Sequence, residues 1–209
     1  MRIIAGFHRG RRIEAPEGLT TRPMTDRVRE NLFNLLAACV PDAVVLDLFA
    51  GSGALGLEAL SRGAAWCTFV ERDPAAARTL ETNCALLGFK ERARIERRDA
   101  LWPGDWVRPP EGSRYTLLFA DPPYRLSADP AGSDGLARMA ADLGRMGCIA
   151  PRAVAMLRME RGTAAPKPWP GFEADDERTY GTTTLHLMAY TAGSPAPPVS
   201  PPGLPGAPQ

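Results

Sequence analysis

Through the middle of the chain, short apolar runs alternate with helically spaced apolar positions. That alternation is what βαβ units around a parallel sheet produce. Six runs read as strands: Val44 to Phe49, Cys67 to Glu71, Ala93 to Glu96, Tyr115 to Ala120, Ala153 to Met159 and Thr183 to Tyr190. Between the second and third, Ala77, Leu80, Cys84 and Leu87 form the buried stripe of a helix. Asp73 caps that helix, Pro74 suits its first turn and Gly88 ends it. Nearer the amino terminus, Val28, Leu32, Leu35, Leu36 and Cys39 recur at helical spacing until Pro41 stops the pattern. At the other end, Phe172 to Tyr180 and Thr183 to Tyr190 meet at Gly181 with no helix between them, which predicts an antiparallel hairpin. The expected fold is one α/β domain with a mostly parallel seven-stranded sheet closed by a carboxyl-terminal antiparallel hairpin.

Composition adds boundaries. The chain has 209 residues, 44% of them hydrophobic, enough for one core of this type. From Gly193 the sequence holds seven prolines in seventeen residues, with almost nothing to bury, and predicts a disordered tail over 193–209. The folded domain is expected over 26–192, preceded by a basic, β-containing extension over 1–25.

A net charge of +1 is uninformative, but its distribution is uneven. Residues 1–30 carry Arg2, Arg9, Arg11, Arg12, Arg22, Arg27 and Arg29 against Glu14, Glu17, Asp26 and Glu30. Residues 90–98 carry Lys90, Arg92, Arg94, Arg97 and Arg98 against Glu91 and Glu96. Both are candidate phosphate-contacting surfaces. The cysteines, Cys39, Cys67, Cys84 and Cys148, are scattered among apolar neighbours with no paired motif, so neither a metal site nor a disulfide framework is expected. With no charged-then-apolar leader and no long apolar span, the expected location is the cytoplasm, and with no long exposed apolar stripe the expected state is a monomer.

Chemistry concentrates at the predicted strand ends. In VVLDLFAGSGALGLEAL, Gly51, Ser52 and Gly53 occupy the turn from the first strand into a helix starting near Ala54, where glycine lets a ligand approach the backbone. Gly51, Gly53 and Gly56 also satisfy a dinucleotide fingerprint, so the glycines alone do not choose the cofactor. Asp47 precedes the turn; Glu71, at the end of the second strand, is placed to accept ribose hydroxyls, and Asp99, at the end of the third, an adenine amine. An adenosine-containing cofactor is implied.

After the fourth strand comes Asp121-Pro122-Pro123-Tyr124. The prolines hold the backbone extended. An exocyclic base amine is a poor nucleophile because its lone pair is delocalised. The Asp121 carboxylate and the Pro122 carbonyl can each accept one N–H and aim that lone pair at an arriving methyl group. Tyr124 offers a ring for stacking the base. No strong general base is needed. His186, alternating with Leu185 and Leu187, reads as structural, and His8 lies in the basic segment and could touch RNA.

With RIIAGFHRGRRI, TRPMTDRVRENLFNLL, DLFAGSGALGLEALSRGA, FVERD, DPPY and GTTTLHLM assembled, the chain resembles the RsmD-type 16S rRNA guanine-N2 methyltransferases from Arg2 to about Tyr190. The resemblance implies a Rossmann-like class I methyltransferase fold and S-adenosylmethionine as cofactor around Asp47, Gly51, Ser52, Gly53, Glu71 and Asp99. It also implies a target guanine at Asp121, Pro122 and Tyr124, and a partner that is ribosomal RNA or the small ribosomal subunit. Arg2, His8, Arg9, Arg11, Arg12, Arg22 and Arg27 would bind RNA or border the cofactor. Met24 departs from the threonine usual in the family; Ser52, where threonine is also common, keeps a hydroxyl. Three rivals remain from the residues alone. A DNA adenine-N6 methyltransferase normally needs a larger recognition region, a NAD-type dehydrogenase leaves DPPY unexplained, and the intact Asp121 to Tyr124 motif speaks against a non-catalytic RNA-binding module.

Overall fold

A computed structural model describes residues 1–15, 24–163 and 168–191. The proline-rich tail and Arg22 lie outside the described residues. The seven strands form one sheet in the order β3-β2-β1-β4-β5-β7-β6. Here β1 is Val44–Asp47, β2 Trp66–Val70, β3 Ala93–Glu96, β4 Tyr115–Ala120, β5 Ile149–Glu160, β6 Phe172–Tyr180 and β7 Thr183–Tyr190. Pairs from β3 through β5 are parallel, and β7 runs antiparallel to both β5 and β6. The expected mixed sheet with its closing hairpin is the one found.

Helices α1 (Asp26–Leu35), α2 (Ala54–Ser61) and α3 (Pro74–Leu86) accompany the β1–β2–β3 half. Helices α4 (Tyr124–Ala128) and α5 (Pro130–Arg145) lie between β4 and β5. Because helices cover both faces, β1 and β4 read as nearly unbroken apolar runs, and the core splits into two clusters. One joins Phe33, Leu57, Phe69 and Leu80; the other joins Leu46, Leu118, Met139 and Leu157. Helix α3 starts as expected, with the Asp73 carboxylate accepting the N–H groups of Ala75 and Ala76. The same device starts α5, where Asp129 accepts from Ala131 and Pro130 follows.

The amino-terminal segment is laid along α2. Ile3 and Ile13 are buried in the first core cluster, and Arg2 and Arg12 face each other in an antiparallel bridge. The wholly buried carboxylate of Glu58 accepts N–H groups from Ile4 at 2.7 Å and Ala5 at 3.0 Å, and the Arg62 guanidinium at 2.7 Å. Ser61 donates to the Ala5 carbonyl and accepts from the His8 N–H. Gly6, at φ +82°, passes so close that an added Cβ would lie 1.8 Å from the Ser61 carbonyl oxygen. On the way back, Asn83 of α3 accepts the Glu14 N–H at 2.8 Å. It also donates to the carbonyls of Glu14 at 3.1 Å and Ser52 at 2.9 Å.

Candidate active site

In a parallel sheet the carboxyl ends of the strands form the ligand crevice, and the direction of chain flow changes here between β1 and β4. Leaving β1, the chain turns through Gly51, at φ +55°, and enters α2 at Gly53, at φ +86°. A Cβ on Gly51 would meet nothing within 4 Å, so the peptide is open on that side. A Cβ on Gly53 would come within 2.4 Å of Leu80, and one on Gly56 within 2.3 Å of Phe69 and 2.6 Å of the Cys67 sulfur. Gly56 therefore serves the packing of α2 on β2, which separates it from the two glycines of the turn.

Asp47 lies under this turn, 1% exposed. Its Oδ2 accepts the Gly56 N–H at 3.0 Å, while Oδ1 is buried with no partner. Burial pushes its carboxyl up to about 7; the Gly56 N–H opposes this, and nearby Asp121 and Glu71 add to it. Glu71, one residue past β2, takes the Gly51 N–H on one oxygen at 2.8 Å and the Asp73 N–H on the other at 2.7 Å. It fastens the glycine turn to the start of α3.

Asp121 follows β4. Its carboxylate receives Arg158 Nη1 on both oxygens at 3.0 Å, and Arg158 Nη2 donates to the Tyr124 hydroxyl at 2.6 Å. The guanidinium also lies over the Tyr124 ring, 4.9 Å from its centroid, and the Tyr124 hydroxyl pairs with Thr183 at 3.0 Å. Burial raises the Asp121 carboxyl and the Arg158 charge opposes it. Burial works against the charge on Arg158, but Asp121 and Tyr124 outweigh it and raise its pKa.

One cleft is lined by Asp47, Gly51, Ser52, Asp121, Pro122 and Tyr124, together with Met24, Arg29 and Arg158. Six of the residues singled out from the sequence thus meet in one place, with Gly53 and Glu71 bonded to the turn that forms its wall. Asp99 is placed differently from the expectation: β3 ends at Glu96, and Asp99 sits three residues on, in a loop. There it accepts Arg72 at 3.1 Å and the Leu101 N–H at 3.1 Å.

Arg2, Arg9, Arg11, Arg12 and Arg27 are exposed. Arg2 pairs with Asp26 at 2.9 Å, and His8 is half-buried with its ring edge on Phe89, its charge disfavoured by burial and then by Arg11 and Arg92. Because α2 descends from the glycine turn to Ser61, about 12 Å of helix, the segment from Phe7 to Arg9 docks at the far end of that helix from the cleft. Met1 and Met24, by contrast, line the cleft itself.

Arg158 was not singled out from sequence. Its signal was a lone cation inside the apolar run AVAMLRM, buried on β5 in register with the residue after β4. His186 lies part-buried on β7 with Nδ1 3.2 Å from the Glu177 carboxylate; burial disfavours its charge and Glu177 opposes that. Among the described residues no helix is long and apolar enough to cross a membrane.

The family described as "Conserved hypothetical protein 95" matches residues 1–189. The chain belongs to this family. Ribosomal RNA small subunit methyltransferase D of Escherichia coli strain K12 is 46% identical over 125 residues, 60% of this chain and 61% of that protein. The protein of the same name from Haemophilus influenzae is 39% identical over 129 residues, 61% of this chain and 65% of that protein. In both cases the matched stretch spans less than two thirds of the relative. The solved structure of yhhF from Escherichia coli superposes with a TM-score of 0.76 at 35% identity, covering 92% of this chain and 98% of that one. The resemblance to the RsmD type stands, and with it the class I methyltransferase fold.

Proposed function

We propose that this chain transfers a methyl group from S-adenosylmethionine to the exocyclic N2 amine of a guanine in 16S ribosomal RNA. The observation that carries the reading is the arrangement of Asp121, Pro122 and Tyr124 in the same cleft as Asp47 and the open Gly51 peptide. The family relationship supports ribosomal RNA as the substrate class, and guanine N2 follows from the kind of methyltransferase the motifs resemble.

The residues fit the cofactor. Asp47 offers a buried acceptor with no protein partner, suited to the amino group of a methionine moiety. The Gly51 peptide leaves room for a ligand to lie against the backbone, Ser52 adds a hydroxyl to the same wall, and each Glu71 oxygen keeps a lone pair beyond its backbone bond for a ribose hydroxyl. When bound, S-adenosylmethionine supplies an electrophilic methyl group on a sulfonium. Asp99 is the least direct assignment, an adenine contact that would act from its loop.

On the substrate side, Tyr124 stacks the flipped base. The Asp121 carboxylate and the Pro122 carbonyl accept the two amine hydrogens, drawing the nitrogen toward a pyramidal geometry with its lone pair aimed at the methyl group. After transfer the nitrogen carries a positive charge and loses a proton readily. The exposed Arg9, Arg11, Arg12 and Arg27 would hold phosphates rather than read bases. His8 and Arg2 would act beside them, and Arg22 completes that set from outside the described residues.

The test is transfer of labelled methyl groups to ribosomal RNA and to assembled small subunits, with the modified nucleotide mapped. A single N2-methylguanine in 16S RNA is the expected product, and a different base or atom would overturn the target assignment. Asp121→Ala should lower turnover about 100-fold or more while cofactor affinity by calorimetry stays within about twofold, since Asp121 touches the base and not the cofactor. Full turnover by that variant would sink the role.

A further inference from the structure

Asp121 and Tyr124, the two side chains that would touch the target base, are joined through one residue. Arg158 Nη1 bridges both Asp121 oxygens, Arg158 Nη2 holds the Tyr124 hydroxyl, and the guanidinium covers one face of the Tyr124 ring. The order of the layers is visible in the exposures: the Arg158 side chain is 6% exposed and that of Asp121 is 21% exposed. Both line the cleft, the carboxylate more openly than the cation. Register explains how. Ala120 of β4 pairs with Leu157 of β5, so the next residues along, Asp121 and Arg158, emerge side by side.

We propose that Arg158 is a positioning residue of the methyl-transfer site, keeping Asp121 a hydrogen-bond acceptor and fixing the Tyr124 ring against the base. This rests on the methyltransferase reading above. The charged and titratable groups around Asp121 are Arg158 from β5, Tyr124 from α4 and Asp47 from β1, with Arg29 of α1 lining the same cleft. Arg158 is the cation in direct contact with the carboxylate. Without it, a carboxyl sheltered from water and close to Asp47 takes up a proton. A protonated Asp121 presents an O–H donor, which no longer draws the hydrogens off an amine. Tyr124 at the same time loses the Arg158 donor at 2.6 Å and, among the described residues, keeps the Thr183 hydroxyl. The guanidinium performs both tasks because it is planar and forked; an ammonium can supply the charge but not the fork.

Two variants separate these tasks. Arg158→Met keeps the bulk of the side chain and removes the charge, so the acid limb of the kcat profile should move up by at least one pH unit, with kcat at pH 7 falling about 100-fold. Cofactor affinity should stay within about twofold, because Arg158 acts through the base-contacting pair. Arg158→Lys should leave the acid limb near its wild-type position and lower kcat about tenfold through the freed Tyr124 ring. Because it keeps the positive charge on a long stem, it also serves if the methionine variant does not fold. In parallel, carboxyl NMR follows the titration of Asp121 without RNA, and the midpoint should rise in Arg158→Met. An unmoved acid limb and an unmoved Asp121 midpoint in a folded Arg158→Met protein would overturn the proposal. Loss of fold in that variant with wild-type turnover in Arg158→Lys would overturn the fork's role. If wild-type protein methylates no RNA, the methyltransferase reading fails instead, and the Asp121 titration still decides whether Arg158 holds the carboxylate ionised.

Discussion

In the function proposed above, Glu71 would serve the fold and a ligand together. Its two oxygens tie the Gly51 peptide to the first turn of α3, so the loop that must lie against a cofactor is already held before any ligand arrives. Glu71→Ala removes both bonds and the ribose acceptor, and cofactor affinity measured by calorimetry should fall at least tenfold. Unchanged affinity would remove the ribose assignment. Gly53 is less forgiving. A Cβ there must displace Leu80 and hold φ near +86°, so Gly53→Ala should lower the melting temperature measurably even without ligand. At this scale the sequence was readable where a motif marks a strand end, as at Asp47, Glu71 and Asp121, which meet around the glycine turn and its cleft. It marked Arg158 as no more than a lone cation in an apolar run, because nothing in a single strand tells which neighbouring strand will bring it a carboxylate.

Elements were legible in proportion to how local their signals are. The strands from Tyr115 and Thr183 have the limits that their apolar runs predict, and the hairpin at Gly181 needed only its turn. By contrast, β5 starts at Ile149, earlier than its apolar run, because Pro151 and Arg152 interrupt the pattern that pairing with β4 overrides. Helix α5 carries an Asp-Pro start identical in kind to that of α3, yet its glycines dilute the apolar stripe. Gly132 is there because a Cβ would fall 1.9 Å from the Leu126 carbonyl oxygen where α4 and α5 cross. Least legible was the docking of the amino-terminal segment. Its anchors, Glu58 and Asn83, are polar residues on helices whose partners lie more than 50 residues away in sequence. Asn83→Ala removes three hydrogen bonds that join the segment, α3 and the glycine turn. About 2 to 3 kcal/mol of unfolding free energy should go with them, read from urea midpoints, together with weaker cofactor binding. A variant as stable as wild type would show that the segment is held elsewhere.

For the molecule as a whole, the burial of Asp47 and Asp121 at the carboxyl edge of the sheet makes stability respond to pH. Asp47 holds its proton up to about 7 in the folded state, whereas the unfolded chain releases it near the ordinary carboxylate range. Folding stability should therefore fall as pH rises from that range toward 7 and level off above it, by an amount on the order of a few kcal/mol. Asp121, also raised by burial, acts in the same direction. Urea midpoints at pH 5 and pH 8 should differ accordingly, and Asp47→Asn should shrink the difference; an equal difference in that variant would move its origin elsewhere. Binding of a cationic cofactor near neutral pH should release a proton, seen as a buffer-dependent calorimetric heat. The segment laid along α2 has a practical consequence of its own. Because Met1 lines the cleft while its amino group reaches the Ile13 carbonyl at 3.3 Å, anything fused ahead of it emerges beside the cleft, where the proposed RNA substrate would enter. In the reading proposed above, purification handles belong at the carboxyl terminus, and an amino-terminal tag should lower activity while the melting temperature stays at the untagged value; a lowered melting temperature would point to lost docking of the segment instead.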